Sequence, residues 1–133
     1  MSSSSSQTRI LLVDDVGPCR EMIHTILQEH ADFVVVGEAV DGLEAVEKAQ
    51  QLDPDVILLD IGLPGINGLE AAREIRRLVP GAKIVFVSQN TDADVIQAAI
   101  SSGAQGFVRK AHAARKLLPA IEAVLRGEVS MAA

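Results

Sequence analysis

The 133-residue sequence predicts an α/β fold, a parallel sheet of five strands with helices on both faces. Three observations predict it. Short apolar runs recur along the chain, and a strand buried on both faces reads as a continuous apolar run. Between them lie segments whose apolar residues repeat at helical spacing, so strand and helix alternate. Three of the runs end in charge: Ile10-Leu11-Leu12-Val13 in Asp14-Asp15, Val56-Ile57-Leu58-Leu59 in Asp60, and Gly106-Phe107-Val108 in Arg109-Lys110. Functional crevices of open parallel sheets lie at the carboxyl ends of the strands, where these charges would gather.

The elements follow in order. Residues 1–7 form a serine-rich stretch with no core-forming pattern, expected to be a disordered tail. Strands are expected at 9–13, 33–37, 56–60, 83–87 and 106–109. Cys19, Met22, Ile23, Ile26 and Leu27 mark the apolar stripe of the first helix, and Pro18 suits its first position. Asp41 is a candidate N-cap for a helix over 42–51, which Asp53-Pro54 terminates, because proline disfavours helix at the preceding residue. Asn67 can cap a third helix that turns Leu69, Ala72, Ile75 and Leu78 inward and closes at Pro80-Gly81. Thr91 or Asp92 can cap a fourth, running to Gly103. The fifth carries Leu117, Leu118, Ile121, Val124 and Leu125. This alternation is a doubly wound (βα)5 pattern of flavodoxin-like type. Right-handed crossovers and helices on both faces favour strand order 2-1-3-4-5.

Bulk properties narrow the function. A single domain is expected over residues 8–128, with 129–133 the start of a linker or a C-terminal tail. A net charge of −6 disfavours direct DNA contact, which draws its affinity from neutralised phosphates. One cysteine allows no intrachain disulfide and fits a reducing compartment. No apolar run approaches the roughly 18 residues of a membrane span, and the N-terminus lacks the pattern of a signal peptide. The expected location is the cytoplasm, without membrane association.

At the sheet edge, Asp14, Asp15 and Asp60 would repel one another unless a cation intervened. Mg²⁺ accepts one or two carboxylates together with waters and phosphate oxygens. A carboxylate can also act as a nucleophile toward phosphorus. Lys110 and the Ser88 hydroxyl, at the ends of the fifth and fourth strands, could each contact a phosphoryl oxygen. Each residue alone has an ordinary explanation as a turn, cap or solvated side chain. Their collection at one edge favours the functional reading. The other candidates read as structural: Cys19 as a small core residue, His24, His30 and His112 as surface or partly packed, and Arg73, Arg76 and Arg77 as a solvated helix face.

These residues carry a resemblance to the receiver domain of bacterial two-component response regulators. It covers about residues 8–128. It rests on Leu-Val-Asp14-Asp15, Leu-Leu-Asp60-Ile-Gly-Leu-Pro64-Gly-Ile-Asn-Gly68, Val-Ser88, and Gly103-Ala-Gln-Gly106-Phe107-Val-Arg-Lys110. The resemblance implies that Asp60 accepts a phosphoryl group from a sensor histidine kinase. It implies that Asp15, Asp60 and the Gly62 carbonyl ligate Mg²⁺, with Asp14 acting mostly through water. Ser88 and Lys110 would contact the phosphoryl group, and Phe107 would be the switch aromatic. The protein would be a self-phosphorylating and self-dephosphorylating switch and not a turnover enzyme. The stretch from Gly103 onward looks like the LuxR/NarL type, in which a linker and a helix-turn-helix DNA-binding domain follow. On that reading the chain is the receiver part of a transcription regulator, and DNA is met only through a domain outside it. A stand-alone receiver acting through protein contacts is the alternative. Dimerisation through a helical face is a further expectation.

Three positions depart from the family pattern. Ala111 stands where proline is common after the lysine, which argues against a cis bond there. Phe107 lacks a tyrosine hydroxyl, and Gly62 offers no side chain beside an incoming water. Two rivals of other classes are weaker. A flavin-binding electron carrier of the same fold would need a phosphate loop without carboxylates, and aromatic residues beyond the Phe33, Phe86 and Phe107 present here. A small aspartate-dependent phosphohydrolase would usually need a cap or more sheet.

Overall fold

The computed structural model describes residues 7–90 and 92–131. Most of the expected serine-rich tail, and Thr91, lie outside the described residues. The elements are β1 (Thr8–Val13), α1 (Gly17–Leu27), β2 (Phe33–Ala39), α2 (Gly42–Leu52), β3 (Val56–Leu59), α3 (Gly68–Leu78), β4 (Lys83–Ser88), α4 (Ala93–Ser101), β5 (Gly106–Arg109) and α5 (Ala113–Leu125). A 3-10 turn over Lys110–His112 joins β5 to α5. All strands pair in parallel, in the expected order β2-β1-β3-β4-β5.

Alternation along the strands builds two cores, one per sheet face. Leu11, Val13, Ile57, Leu59, Ile84, Phe86 and Phe107 face α2, α3 and α4, meeting Ala45, Ala49, Ala72, Ile75 and Ala99. Ile10, Leu12, Val56, Leu58, Val85, Val87 and Val108 face α1 and α5, meeting Ile23, Leu27, Leu117, Ile121 and Val124. Alanines on α2 and α3 let these helices lie close to the sheet. The strand order reverses between β1 and β3, and the crevice opens there.

Local chemistry sets the helix starts. The Asp41 carboxylate accepts from Glu44 N–H at 2.8 Å. Asn67 and Glu70 exchange side-chain-to-backbone bonds as a capping box. Asp92 occupies the N-cap of α4 without a side-chain cap bond. Asp53, with φ of 48°, ends α2 before Pro54.

Several readings need correction. Cys19 is half-buried rather than a core residue, and Met22 and Leu125 of the expected apolar stripes are exposed. The buried residues of α1, Ile23, Ile26 and Leu27, all lie toward its C-terminal end, and Cys19 and Met22 precede them. At the last turn of α5, only Val124 of its neighbours reaches the sheet face. Arg76 is exposed, but its guanidinium donates to Ser102 O at 2.9 Å, closing the end of α4.

Candidate functional site

The loop after β1 aims both of its acids. Asp14 N–H donates to Ala39 O at 3.0 Å, continuing the β1–β2 ladder by one residue. Its Oδ1 accepts from Val16 N–H at 2.9 Å, a local turn that fixes the carboxylate. Asp14 is buried, 1% exposed, whereas Asp15 reaches solvent. Side chains of neighbouring residues diverge along a strand, and the loop conformation here lets both serve one edge.

Asp60 is held from β3. Its N–H donates to Val13 O at 3.1 Å, which ties the ends of β3 and β1 together. Its Oδ1 accepts from Gly62 N–H at 3.3 Å. The chain then doubles back, and Gly68 N–H donates to Ile61 O at 2.8 Å. A Cβ on Gly68 would lie 2.1 Å from Asp60 O, so only glycine allows α3 to begin this close to the acid.

Lys110 extends from β5 into the same edge, with its side chain 8% exposed. Its Nζ lies 3.4 Å from Asp60 Oδ2 and 2.8 Å from Asp14 Oδ2. The Asp14 contact is the shorter of the two, a buried ion pair. Ser88 is buried at the end of β4, and its Oγ accepts from Asn90 N–H at 3.0 Å. Phe107 is buried within the core, 1% exposed. The Lys110–Ala111 bond is trans.

The electrostatics follow from burial. Burial pushes the Asp60 carboxyl above its ordinary range; Lys110 opposes the rise and Asp14 adds to it. Burial alone would depress Lys110, but its contact with Asp14 and the charge of Asp60 outweigh that, and its affinity for the proton is raised.

One carboxylate oxygen from each of Asp14, Asp15 and Asp60 lies within 4.8 Å of the other two. This all-oxygen set fits a hard divalent cation. A cavity of about 260 Å³ beside it is lined by Asp15, Asp60, Gly62, Ser88 and Lys110 among others. A larger one, about 450 Å³, shares Ser88, Gln89 and Lys110 with it and is lined also by Cys19, Met22 and His112. It contains no carboxylate, so the smaller cavity is where a phosphate and a cation could meet. The three phenylalanines are all buried, leaving none to sandwich a flavin ring.

The structure thus brings together Asp14, Asp15, Asp60, Gly62, Ser88 and Lys110. Sequence reasoning missed Arg20, whose Nη1 donates to Asp14 O at 2.8 Å while its Nε meets Glu38 at 3.0 Å. A lone arginine in a helix's first turns carries no signal for this role.

A doubly wound receiver architecture with an acidic edge and a buried lysine defines the class. The chain belongs to the response regulator receiver domain family, whose model matches residues 10–122. It is 37% identical over 116 residues to the chemotaxis protein CheY of Thermotoga maritima, covering 87% of this chain and 96% of that one. It is likewise 37% identical over 128 residues to the nitrate/nitrite response regulator NarL of Escherichia coli, covering 96% of this chain but 59% of that protein. A two-component response regulator of the LuxR family from Aurantimonas superposes with a TM-score of 0.90 at 35% identity, over 95% of this chain and 90% of that one. Receiver domains are phosphoryl-accepting switches that bind Mg²⁺, interact with histidine kinases and can dimerise. No helix among the described residues is long and apolar enough to cross a membrane.

Proposed function

We propose that Asp60 is the phosphoacceptor of this receiver and a sensor histidine kinase its donor. The reading is carried by one observation: a mostly buried carboxylate shares its pocket with Lys110 and two further aspartates. An Asp60 carboxylate oxygen attacks phosphorus, forming the O–P bond as the P–N bond to the donor imidazole breaks. The imidazole leaves with the electron pair and takes a proton. Asp14, Asp15 and Asp60, with the Gly62 carbonyl, would hold Mg²⁺. Bound there, the ion supplies neutralisation of the clustered carboxylate and phosphoryl charge.

Lys110 supplies a positive charge to one phosphoryl oxygen. Ser88 turns its hydroxyl from Asn90 N–H to another. These contacts favour a second arrangement, in which Phe107 shifts toward Ser88 and the face of α4, β5 and α5 is remodelled. Moving a switch from mostly off to mostly on takes about 5 kcal/mol. A hydrogen bond to a charged group contributes about 1.5–3 kcal/mol, so the contacts must act together.

The chain acts as a switch that phosphorylates and dephosphorylates itself, in the cytoplasm, without turnover of an outside substrate. Likeness to NarL and to a LuxR-family regulator supports transcriptional output through a separate DNA-binding domain. Likeness to CheY over nearly the whole of that protein favours a second reading, a receiver acting through protein contacts alone. Phosphoramidate, which carries the same P–N bond, tests the chemistry. Label on Asp60 in a proteolytic digest supports the reading; label only at other residues rejects Asp60.

A further inference from the structure

The chain does not leave the fold at the end of α5. It reverses at Gly127, whose φ of 85° lies in the left-handed region. Residues 128–131 then run along the open side of β5. Ser130 forms a parallel bridge with Gly106. Ser130 N–H donates to Gln105 O, and Phe107 N–H donates to Ser130 O, each at 2.8 Å. Met131 packs against the core cluster that holds Phe86 and Phe107. β5 is the last strand of the sheet, and an edge strand presents unpaired donors and acceptors to any extended segment. Here the occupant of that edge is the chain's own segment.

We infer that residues 128–131 are a releasable edge strand whose docking on β5 is linked to the state of the Asp60 pocket. The linkage rests on the reading of Asp60 as phosphoacceptor; the docking itself does not. β5 is only four residues long. The strap grips it at Phe107, and Lys110 follows directly at its other end. Lys110 stands nearer to Asp14 than to Asp60. A phosphoryl group on Asp60 draws Lys110 toward it and changes the space around Phe107. Both effects act on the strand that holds the strap. With the strap docked, Lys110 stands nearer Asp14, so a phosphoryl group that draws it toward Asp60 pulls on the strand end the strap grips, and by reciprocity phosphorylation loosens the strap. Few contacts hold it to β5 and the core: two backbone hydrogen bonds and one methionine, with Val129 largely exposed, while Glu128 is tied to the end of α5 through Ala123 O and Arg126. Release leaves Phe107 N–H and Gln105 O free, uncovering a strand-pairing edge beside the switch residue.

Hydrogen exchange on the full chain tests this, because Phe107 N–H donates to the strap and to no other strand. Ser130→Pro removes the donor to Gln105 O, and Met131→Ala removes the packing. The amide of Leu58, in a central strand, reports whether each variant is folded. Phe107 exchange is expected to rise at least tenfold in Ser130→Pro, and by a smaller factor in Met131→Ala, with Leu58 unchanged. Beryllofluoride with Mg²⁺ is expected to accelerate Phe107 exchange several-fold in the unsubstituted chain. Ser130→Pro is expected to bind beryllofluoride more tightly by a similar factor. Unchanged Phe107 exchange in both variants would overturn docking. Faster exchange in the variants, but no response to bound beryllofluoride and no change in its affinity, would overturn the linkage. Failure of the unsubstituted chain to bind beryllofluoride would remove the phosphoacceptor reading and the linkage together, while the variants still decide docking.

Discussion

Lys110 Nζ stands 2.8 Å from Asp14 Oδ2, closer than the 3.4 Å that separates it from Asp60 Oδ2. Its single charge is thus shared between two buried acids and lies nearer the one that is not the proposed acceptor. Lys110→Ala leaves both carboxylates buried and facing each other. Removing one partner of a buried ion pair costs about 3–5 kcal/mol. Urea unfolding without divalent ions should show a loss of this order, and Mg²⁺ should recover part of it. The variant should still be labelled by a small phosphodonor while failing to change conformation. A normal conformational response would count against the lysine as the coupling group.

The raised affinity of Asp60 for its proton makes metal-free stability depend on pH. A carboxyl that holds its proton more tightly when folded stabilises the protein at low pH. That contribution is lost as pH climbs from the ordinary carboxylate value of about 3.9 through the raised folded value. Asp60→Asn removes this slope. The variant should be the more stable protein at pH 7, and the difference should shrink under acid. Lys110 has the complementary alkaline limb: its raised value gives stability that is complete below about pH 10.4 and fades above it. Parallel pH profiles for the two proteins below pH 7 would refute the Asp60 assignment.

Gly68→Ala tests how closely α3 must approach Asp60. The added Cβ would meet Asp60 O at 2.1 Å and Ile61 Cα at 2.7 Å, both backbone atoms. Overpacking typically costs about 1–3 kcal/mol. The strain here falls on Asp60, the proposed phosphoacceptor. Thermal unfolding should show the loss, and the rate of phosphorylation should drop even where the protein stays folded. An unaffected rate would mean that the loop between β3 and α3 gives way without moving Asp60.

Much of this was legible in the sequence, for identifiable reasons. Apolar runs mark strands such as 56–59 because both faces of the sheet are covered, and Asp60, Ser88 and Lys110 break those runs at their carboxyl ends. The capping roles of Asp41 and Asn67 are local chemistry, readable within four residues. Arg20 was not legible, because its bond to Asp14 O depends on where α1 lies over the loop. Cys19 and Met22 repeat at helical spacing, yet burial in α1 begins only at Ile23, and periodicity does not tell where along a helix its packing starts. The strap on β5 is held mainly by backbone bonds, which leave no side-chain pattern, and Val129 faces solvent.

Arg20→Ala should weaken Mg²⁺ binding by roughly tenfold, as loss of an outer-shell partner commonly does. Arg20 orients the Asp14 main chain and is itself partly exposed, so stability should change little. Calorimetric titration with Mg²⁺ reads the affinity, and Arg20→Lys should restore part of it. Unchanged affinity in Arg20→Ala would reduce the arginine to a link between α1 and Glu38.

The central claim is that Asp60 accepts a phosphoryl group in a pocket that requires a divalent cation. Intact-protein mass after incubation with acetyl phosphate, with and without Mg²⁺, tests it on the unsubstituted chain and on Asp60→Ala. One phosphoryl adduct is expected, which needs Mg²⁺ and disappears in the variant. An adduct that persists in Asp60→Ala, or forms equally well without a divalent ion, would contradict it.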